Sequence, residues 1–220
     1  MRVFYAYYEE GLLIGFDLSM KILWLLIFFV AFIWSAMNPE DRFTWFLEVS
    51  PAIIGLGLIV YTYKTFKLTT LLYILILIHC IILMIGGHYT YAKVPFFDWL
   101  KDHYDLQRNG YDKLGHLAQG FIPAILVREI LIRKKVVNIL QWRGFIIVCI
   151  CLAFSAFYEL IEWGVALASG ESAEAFLGTQ GYVWDTQSDM GWALLGAVIA
   201  LFTLAKLHNR QLDALGVLEN

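Results

Sequence analysis

The stretch FYELIEWGVA sets two carboxylates, Glu159 and Glu162, three residues apart inside an apolar run from Gly144 to Ala168. Residues three or four apart share a helix face, so both acids point the same way. Asp112 and His116 are spaced i, i+4 in NGYDKLGHLAQGF, and Gln119 follows three residues later. Asp185 and Asp189 repeat the i, i+4 spacing in WDTQSDMGWALLG if the helix extends back through TQS, and His88 lies in IGGHYTYAKVP. Carboxylates with one or two imidazoles suit a hard or borderline divalent cation: Mg²⁺, Mn²⁺, Fe²⁺ or Zn²⁺. Without metal, paired acids in an apolar site supply a general acid and a general base. The expected catalytic set, which is also the expected metal-holding set, is His116, Glu159, Asp185 and Asp189. Glu162, Asp112 and His88 stand behind them, and Lys113 and Gln119 would orient a polar headgroup.

Each group also has an ordinary structural reading. Asp112, Asp185 and Asp189 suit helix N-termini, His116 suits an interface, and Glu162 lies close enough to the surface to reach water. Glu159 is harder to explain, because an acid deep in a membrane helix costs roughly 2.5 to 3.5 kcal/mol on insertion scales. Taken together the set favours a functional site. A purely structural salt-bridge reading requires Lys113 or Arg108 as counter-ions and leaves excess negative charge, which itself invites a cation.

The elements that position these groups follow from composition. The chain has 220 residues, 60% hydrophobic and 16% charged, against about 25% charged in soluble domains. This is the composition of a polytopic membrane protein: an all-α transmembrane bundle forming a single integral membrane domain over residues 1–220. Six spans are expected near Ile22–Met37, Leu47–Tyr63, Leu68–Gly86, Lys113–Ile132, Gly144–Ala168 and Asp189–Leu207. Each approaches the roughly 20 residues that cross a bilayer. The fourth is the least apolar and carries Pro123 in its interior, where a kink is expected.

The N-terminus lacks the pattern of a secretory signal peptide, and the aromatic residues of 1–20 suggest a segment at the membrane interface. Cys80, Cys149 and Cys151 lie in apolar runs and read as packing residues. The net charge of −3 is small and scattered, which gives no basis for a nucleic-acid partner.

Of the 16 basic residues, 11 fall on the side that holds both termini, so both termini are expected in the cytoplasm. Glu159 then lies 15 residues beyond Gly144, about 22 Å along its helix, in the outer third of the membrane. His88, Asp112, His116, Glu162, Asp185 and Asp189 reach the same layer. Gly115, Gly120, Gly164, Gly191 and Gly196 would let the backbones approach closely. The cytoplasmic halves of these helices show no such polar set beyond Arg128 and Glu129.

The segments GGHYTYAKVP, YDKLGHLAQGFIPAILVREIL, SAFYELIEW and FLGTQGYVWDTQSDM, between residues 72 and 200, resemble the uncharacterised bacterial inner-membrane family typified by YjdF. More distantly, the order Asp-Lys-x-x-His, glutamate helix, Asp-x-x-x-Asp is similar to VanZ-like membrane proteins, in which the last acid is more often Asn. The resemblance implies a multi-pass protein of the bacterial inner membrane and singles out the same residues. It supplies no activity. In the nearer family an aspartate commonly stands where this chain has Tyr182.

Three function classes follow. The leading one is an enzyme acting at the outer face on a lipid or lipid-linked amphiphile, with a divalent metal ion as the expected cofactor. The second is a transporter or proton-coupled carrier using Glu159 and His79. The third is a non-catalytic membrane assembly or envelope-stress factor whose buried acids meet a partner subunit.

Overall fold

A computed structural model describes residues 17–137, 139–169 and 180–217. Its helices are α1 (Leu18–Ala36), α2 (Arg42–Thr62), α3 (Thr70–His88), α4 (Pro95–His103), α5 (Tyr111–Arg133), α6 (Leu140–Ser169) and α7 (Asp185–Ala214). No strand occurs among the described residues. All but α4 are long and apolar enough to cross a membrane, which agrees with the six expected spans. The expected interfacial segment falls mainly on residues 1–16, outside the described residues.

Local chemistry sets the helix starts. Asp17 caps α1 by accepting from the Met20 amide at 2.8 Å, and Asp41 caps α2 by accepting from Thr44 at 2.7 Å. Pro95 opens α4 at a position where a missing N–H costs nothing. The last two spans are longer than expected, because Leu140 and Asp185 rather than Gly144 and Asp189 begin them. The second α-helical span also starts early, at Arg42.

Helix α5 is the centre of the bundle. In its most apolar window 61% is buried inside the protein, against 17–33% for the other spans. That explains its weak hydropathy: neighbouring helices, rather than lipid, surround it, so polar side chains on it find protein partners. It continues through Pro123 as one helix. The apolar core is built from Ala124, Ile125 and Leu131 of α5, Leu71 and Leu72 of α3, Ile147 and Cys151 of α6, and Ala197 and Ala200 of α7. A second core joins α1, α2 and α3 around Trp24, Phe28, Val49, Tyr73 and Met84, pinned by the Trp24 indole donating to the Tyr73 carbonyl at 2.7 Å. Cys80 and Cys151 pack in these cores, whereas Cys149 is exposed on α6, so the packing expectation fails for Cys149.

Helices α5 and α7 start at the same end and run parallel in close contact. A Cβ at Gly120 would meet the Ala193 carbonyl oxygen at 1.8 Å, and one at Gly196 would meet that of Leu117 at 2.1 Å. These two glycines allow the backbones to touch, as expected. Gly115 instead accommodates the Tyr91 ring, and Gly164 and Gly191 have nothing near their missing side chains; the expectation for those two is corrected. Gly120→Val should therefore lower stability by about 3 kcal/mol or more, whereas Gly164→Ala should stay within about 0.5 kcal/mol of the parent. Thermal unfolding of the detergent-solubilised protein distinguishes the two.

Candidate functional site

The starts of α2, α5 and α7 and the last third of α6 meet at one end of the bundle. The connection over 89–110, which includes α4, brings Tyr91 and Arg108 to it. At this end Asp112 and His116 occupy the first turns of α5, Asp185 and Asp189 the first turns of α7, and Glu159 and Glu162 face them from α6. The partial positive charge of the α5 and α7 N-termini favours Asp112 and Asp185, the acids in their first turns.

His116 is the hub. Its Nδ1 lies 2.9 Å from Gln119 Oε1; with the amide in this orientation the oxygen accepts and Nδ1–H donates. Its Nε2 faces Asp112 Oδ1 at 3.3 Å and Asp189 Oδ2 at 3.9 Å. Carboxylates and an imidazole lone pair are all acceptors, so the arrangement is completed by a proton, on Nε2 or on a carboxyl, or by a bound cation. Glu159 Oε1 sits 3.9 Å from His116 Nδ1 and has no hydrogen-bond partner, as is also true of Asp189 Oδ1. Both residues are more than nine-tenths buried, with 8% and 3% exposure. Two ligand-like triads result, Asp112–His116–Asp189 and His116–Glu159–Glu162, each with its donor atoms within 4.8 Å of one another. Because Gln119 already engages Nδ1, the first triad is the better-formed one.

A cavity of about 130 Å³ opens beside this cluster, lined by Asp112, His116, Gln119 and Glu162 and by two residues that sequence reasoning missed, Glu48 and Tyr158. Glu48 is buried on α2 and accepts from the Tyr158 hydroxyl at 3.2 Å. Nothing in the sequence singled it out: the expected span begins at Leu47, whereas α2 starts at Arg42, which puts Glu48 nearly two turns inside the helix. Tyr91, also missed, lies outside the helices, with its ring seated over Gly86 and Gly115. Burial, followed by the neighbouring Glu48 carboxylate, pushes its phenol well above the ordinary range, so it remains an O–H donor at the cavity wall.

Arg108, in the loop before α5, bridges the two acidic pairs. It donates to Asp112 Oδ2 at 2.8 Å and to Asp185, with its guanidinium 5.5 Å above the Tyr182 ring. Burial opposes its charge, but Asp185 and Asp112 together hold it above its ordinary range. Asp185 is thus drawn to Arg108 and lies one step from the His116 cluster. The backbone behind Arg108 is fixed by Asn109, which exchanges two hydrogen bonds with Gln180 and donates to Asp98 and Val94.

Two expected residues lie elsewhere. His88 stacks on Trp34 at 4.6 Å and its Nδ1 approaches the Ser35 carbonyl at 3.0 Å, joining α3 to α1. Lys113 is half-buried and does not line the cavity.

The expectation that the other end lacks a polar set is overturned. Glu129, fully buried on α5, accepts from Thr69 Oγ1 at 2.8 Å and from Arg133 at 2.8 Å, and lies 3.0 Å from His208 Nε2. Arg128 donates to His208 Nδ1 at 2.8 Å, which makes that nitrogen an acceptor and places the proton on Nε2, facing Glu129. His208 escaped notice because the last helix was expected to end at Leu207, whereas α7 runs to Ala214. This cluster lies about 20 Å from His116 along α5.

A family model described as "Predicted membrane protein (DUF2238)" matches residues 20–210. The chain belongs to that family. The match is wider than residues 72–200, on which the resemblance rested. The chain is 50% identical over 186 residues to the inner membrane protein YjdF of Escherichia coli (strain K12), covering 84% of this chain and 89% of that protein. No solved structure matches it. As a DUF2238 member with six spans, it is a multi-pass protein of the bacterial inner membrane.

Two stability effects follow from the clusters. Arg108→Met leaves Asp112 and Asp185 buried without their counter-ion and should destabilise by about 3 kcal/mol. Glu129→Ala removes the carboxylate that Arg133, His208 and Thr69 share and should cost about as much. Denaturation midpoints in detergent, read beside Lys113→Ala as a neutral reference, check both.

Proposed function

We propose that this chain is a metal-dependent membrane enzyme acting on a lipid or lipid-linked amphiphile at the outer face of the inner membrane. The observation that carries the reading is the acceptor-only surrounding of His116 Nε2, 3.3 Å from Asp112 and 3.9 Å from Asp189. Such a donor set suits a divalent cation, and the unpartnered Asp189 oxygen at the same place has a ligand's freedom. Asp112, His116 and Asp189 would hold the ion, which when bound polarises a phosphoryl or carbonyl oxygen.

The remaining residues have roles of their own. Gln119 fixes the imidazole tautomer and ring plane, as outer partners of ligating histidines do. Arg108 holds Asp112 by Oδ2 and leaves Oδ1 toward His116. Glu159, with one oxygen free of hydrogen bonds, is the group best placed to take a proton from water or substrate, and Glu162 and Glu48 extend the acidic wall. Orientation rests on the basic-residue bias, which puts this end outside.

A proton-coupled carrier is less well supported. The Glu129–His208–Arg128 cluster at the opposite end is closed by its own hydrogen bonds, and His79 and Ser155 between the two clusters form no continuous titratable path.

Element-resolved metal analysis of the purified protein, after exposure to Mg²⁺, Mn²⁺, Fe²⁺ and Zn²⁺, tests the reading. Stoichiometric metal is expected in the parent and in Lys113→Ala, and loss is expected in His116→Ala and Asp189→Asn with unfolding temperature retained. Gln119→Leu should weaken affinity roughly 10- to 100-fold. A parent protein that binds none of the four ions would sink the metal reading.

A further inference from the structure

The acidic cavity does not end at its own floor. Pro51, His79 and Leu83 line it, and the same three residues line a second cavity of about 340 Å³ that continues toward the opposite end of the bundle. This second space lies between α2, α3 and α5, with Gly55 and Ile59 on one wall and Leu126 and Ile130 on the other. Both α2 and α5 pack on α3, which leaves a gap between them along the α3 surface. The Tyr158–Glu48 hydrogen bond spans that gap from α6 at its polar end. Gly55, Ile59 and Leu126 are half-buried and Ile130 is exposed, so the groove opens sideways to the bilayer.

The dimensions suit one chain. On α2 the groove runs from Pro51 to Thr62, about 16 Å at 1.5 Å per residue. Its 340 Å³ spread over that length leaves a cross-section of about 21 Å², room for one extended hydrocarbon chain. The 130 Å³ polar cavity above it equals about four water molecules at roughly 30 Å³ each, space for a phosphate-sized head and little more. Carboxylates alone would repel such a head; a divalent ion at Asp112, His116 and Asp189 reverses the sign. His79 marks the junction, a lone imidazole where head joins tail.

We propose that the groove between α2, α3 and α5 holds the hydrocarbon chain of a single-chain amphiphile whose small anionic head occupies the acidic cavity. The sign of the head rests on the metal-dependent reading given above; the chain groove stands on its own geometry. Bulk lipid can lie against any exposed span, but only a chain in this groove has its head delivered to Glu48, His79 and His116.

The test uses a long-chain alkyl phosphate bearing a mid-chain diazirine, as a minor component of phosphatidylcholine nanodiscs that contain the full-length protein. Gly55 and Gly57 both have open space where a side chain would begin, so Gly55→Leu and Gly57→Leu are both compatible with the fold. Gly55 lines the groove and Gly57, two residues round the helix, does not. Photolabelling is expected on the groove segments of α2, α3 and α5. It should fall about tenfold or more in Gly55→Leu, the scale of misfit in an apolar pocket, and stay at the parent level in Gly57→Leu. Chelation or His116→Ala should lower labelling by the phosphate but not by the matching alkyl alcohol. If Gly55→Leu abolishes labelling while chelation and His116→Ala leave it unchanged, the groove stands and the metal reading falls. Labelling spread evenly over the lipid-facing spans, or indifferent to Gly55→Leu, overturns the groove whatever the metal result.

Discussion

The contact of α5 with α7 is the constraint on which the rest depends. At Gly120 and Gly196 the two backbones lie where a single Cβ would overlap a carbonyl oxygen, so the separation of the helices is fixed at its lower limit. Because both helices begin at the same end, that separation is transmitted to their first turns. There the i, i+4 pairs Asp112–His116 and Asp185–Asp189 must face each other within a few ångströms. In a membrane no hydrophobic effect drives helices together, and close van der Waals packing of small residues takes its place. The acidic site is therefore a consequence of the packing that holds the bundle together.

Such closeness of carboxylates would be self-defeating without compensation, and the compensation comes from outside the spans. Arg108 arrives from the loop and pairs with one acid of each helix. Asn109, next to it, ties that loop to Gln180, Asp98 and Val94. Tyr91 fills the space above Gly86 and Gly115. The connection over 89–110, which carries α4, thus does more than join α3 to α5. It supplies the positive charge of Arg108 and the phenol of Tyr91 to the site.

Much of this was legible in the sequence. Period and apolar length gave six spans, and the spacing of Asp112, His116, Glu159, Glu162 and Asp189 placed five side chains in one layer, where the structure brings them together. The failures have a common physical cause. Glu48 and His208 sit close to helix ends, and boundaries drawn from hydropathy fall short where a helix continues into polar sequence. A few residues of error leave Glu48 at the edge of one expected span and His208 just beyond the end of another. His88 failed differently: its depth was right, but depth does not say which face of α3 it occupies, and Trp34 and Ser35 hold it against α1. The central position of α5 was foreshadowed only by its weak hydropathy, which in isolation reads as a poor span.

The two buried polar clusters differ in a way that separates structure from chemistry. Around Glu129 the donors are matched: Arg133, Thr69 and His208 meet one carboxylate, and Arg128 holds His208 from behind, which is how a buried charge is made tolerable. Around His116 the count runs the other way. Several carboxylates face one imidazole and one arginine, and oxygens of Glu159 and Asp189 lack partners. A fold able to satisfy one such cluster completely has left the other incomplete, beside a cavity that Asp112, His116 and Glu162 line. Burying unpaired acceptors in a low-dielectric interior costs stability unless something else completes the set. Three things supply what such acceptors lack: a water, a proton on a carboxyl, or a small cation. The cation is the reading proposed above, and metal analysis separates it from the other two.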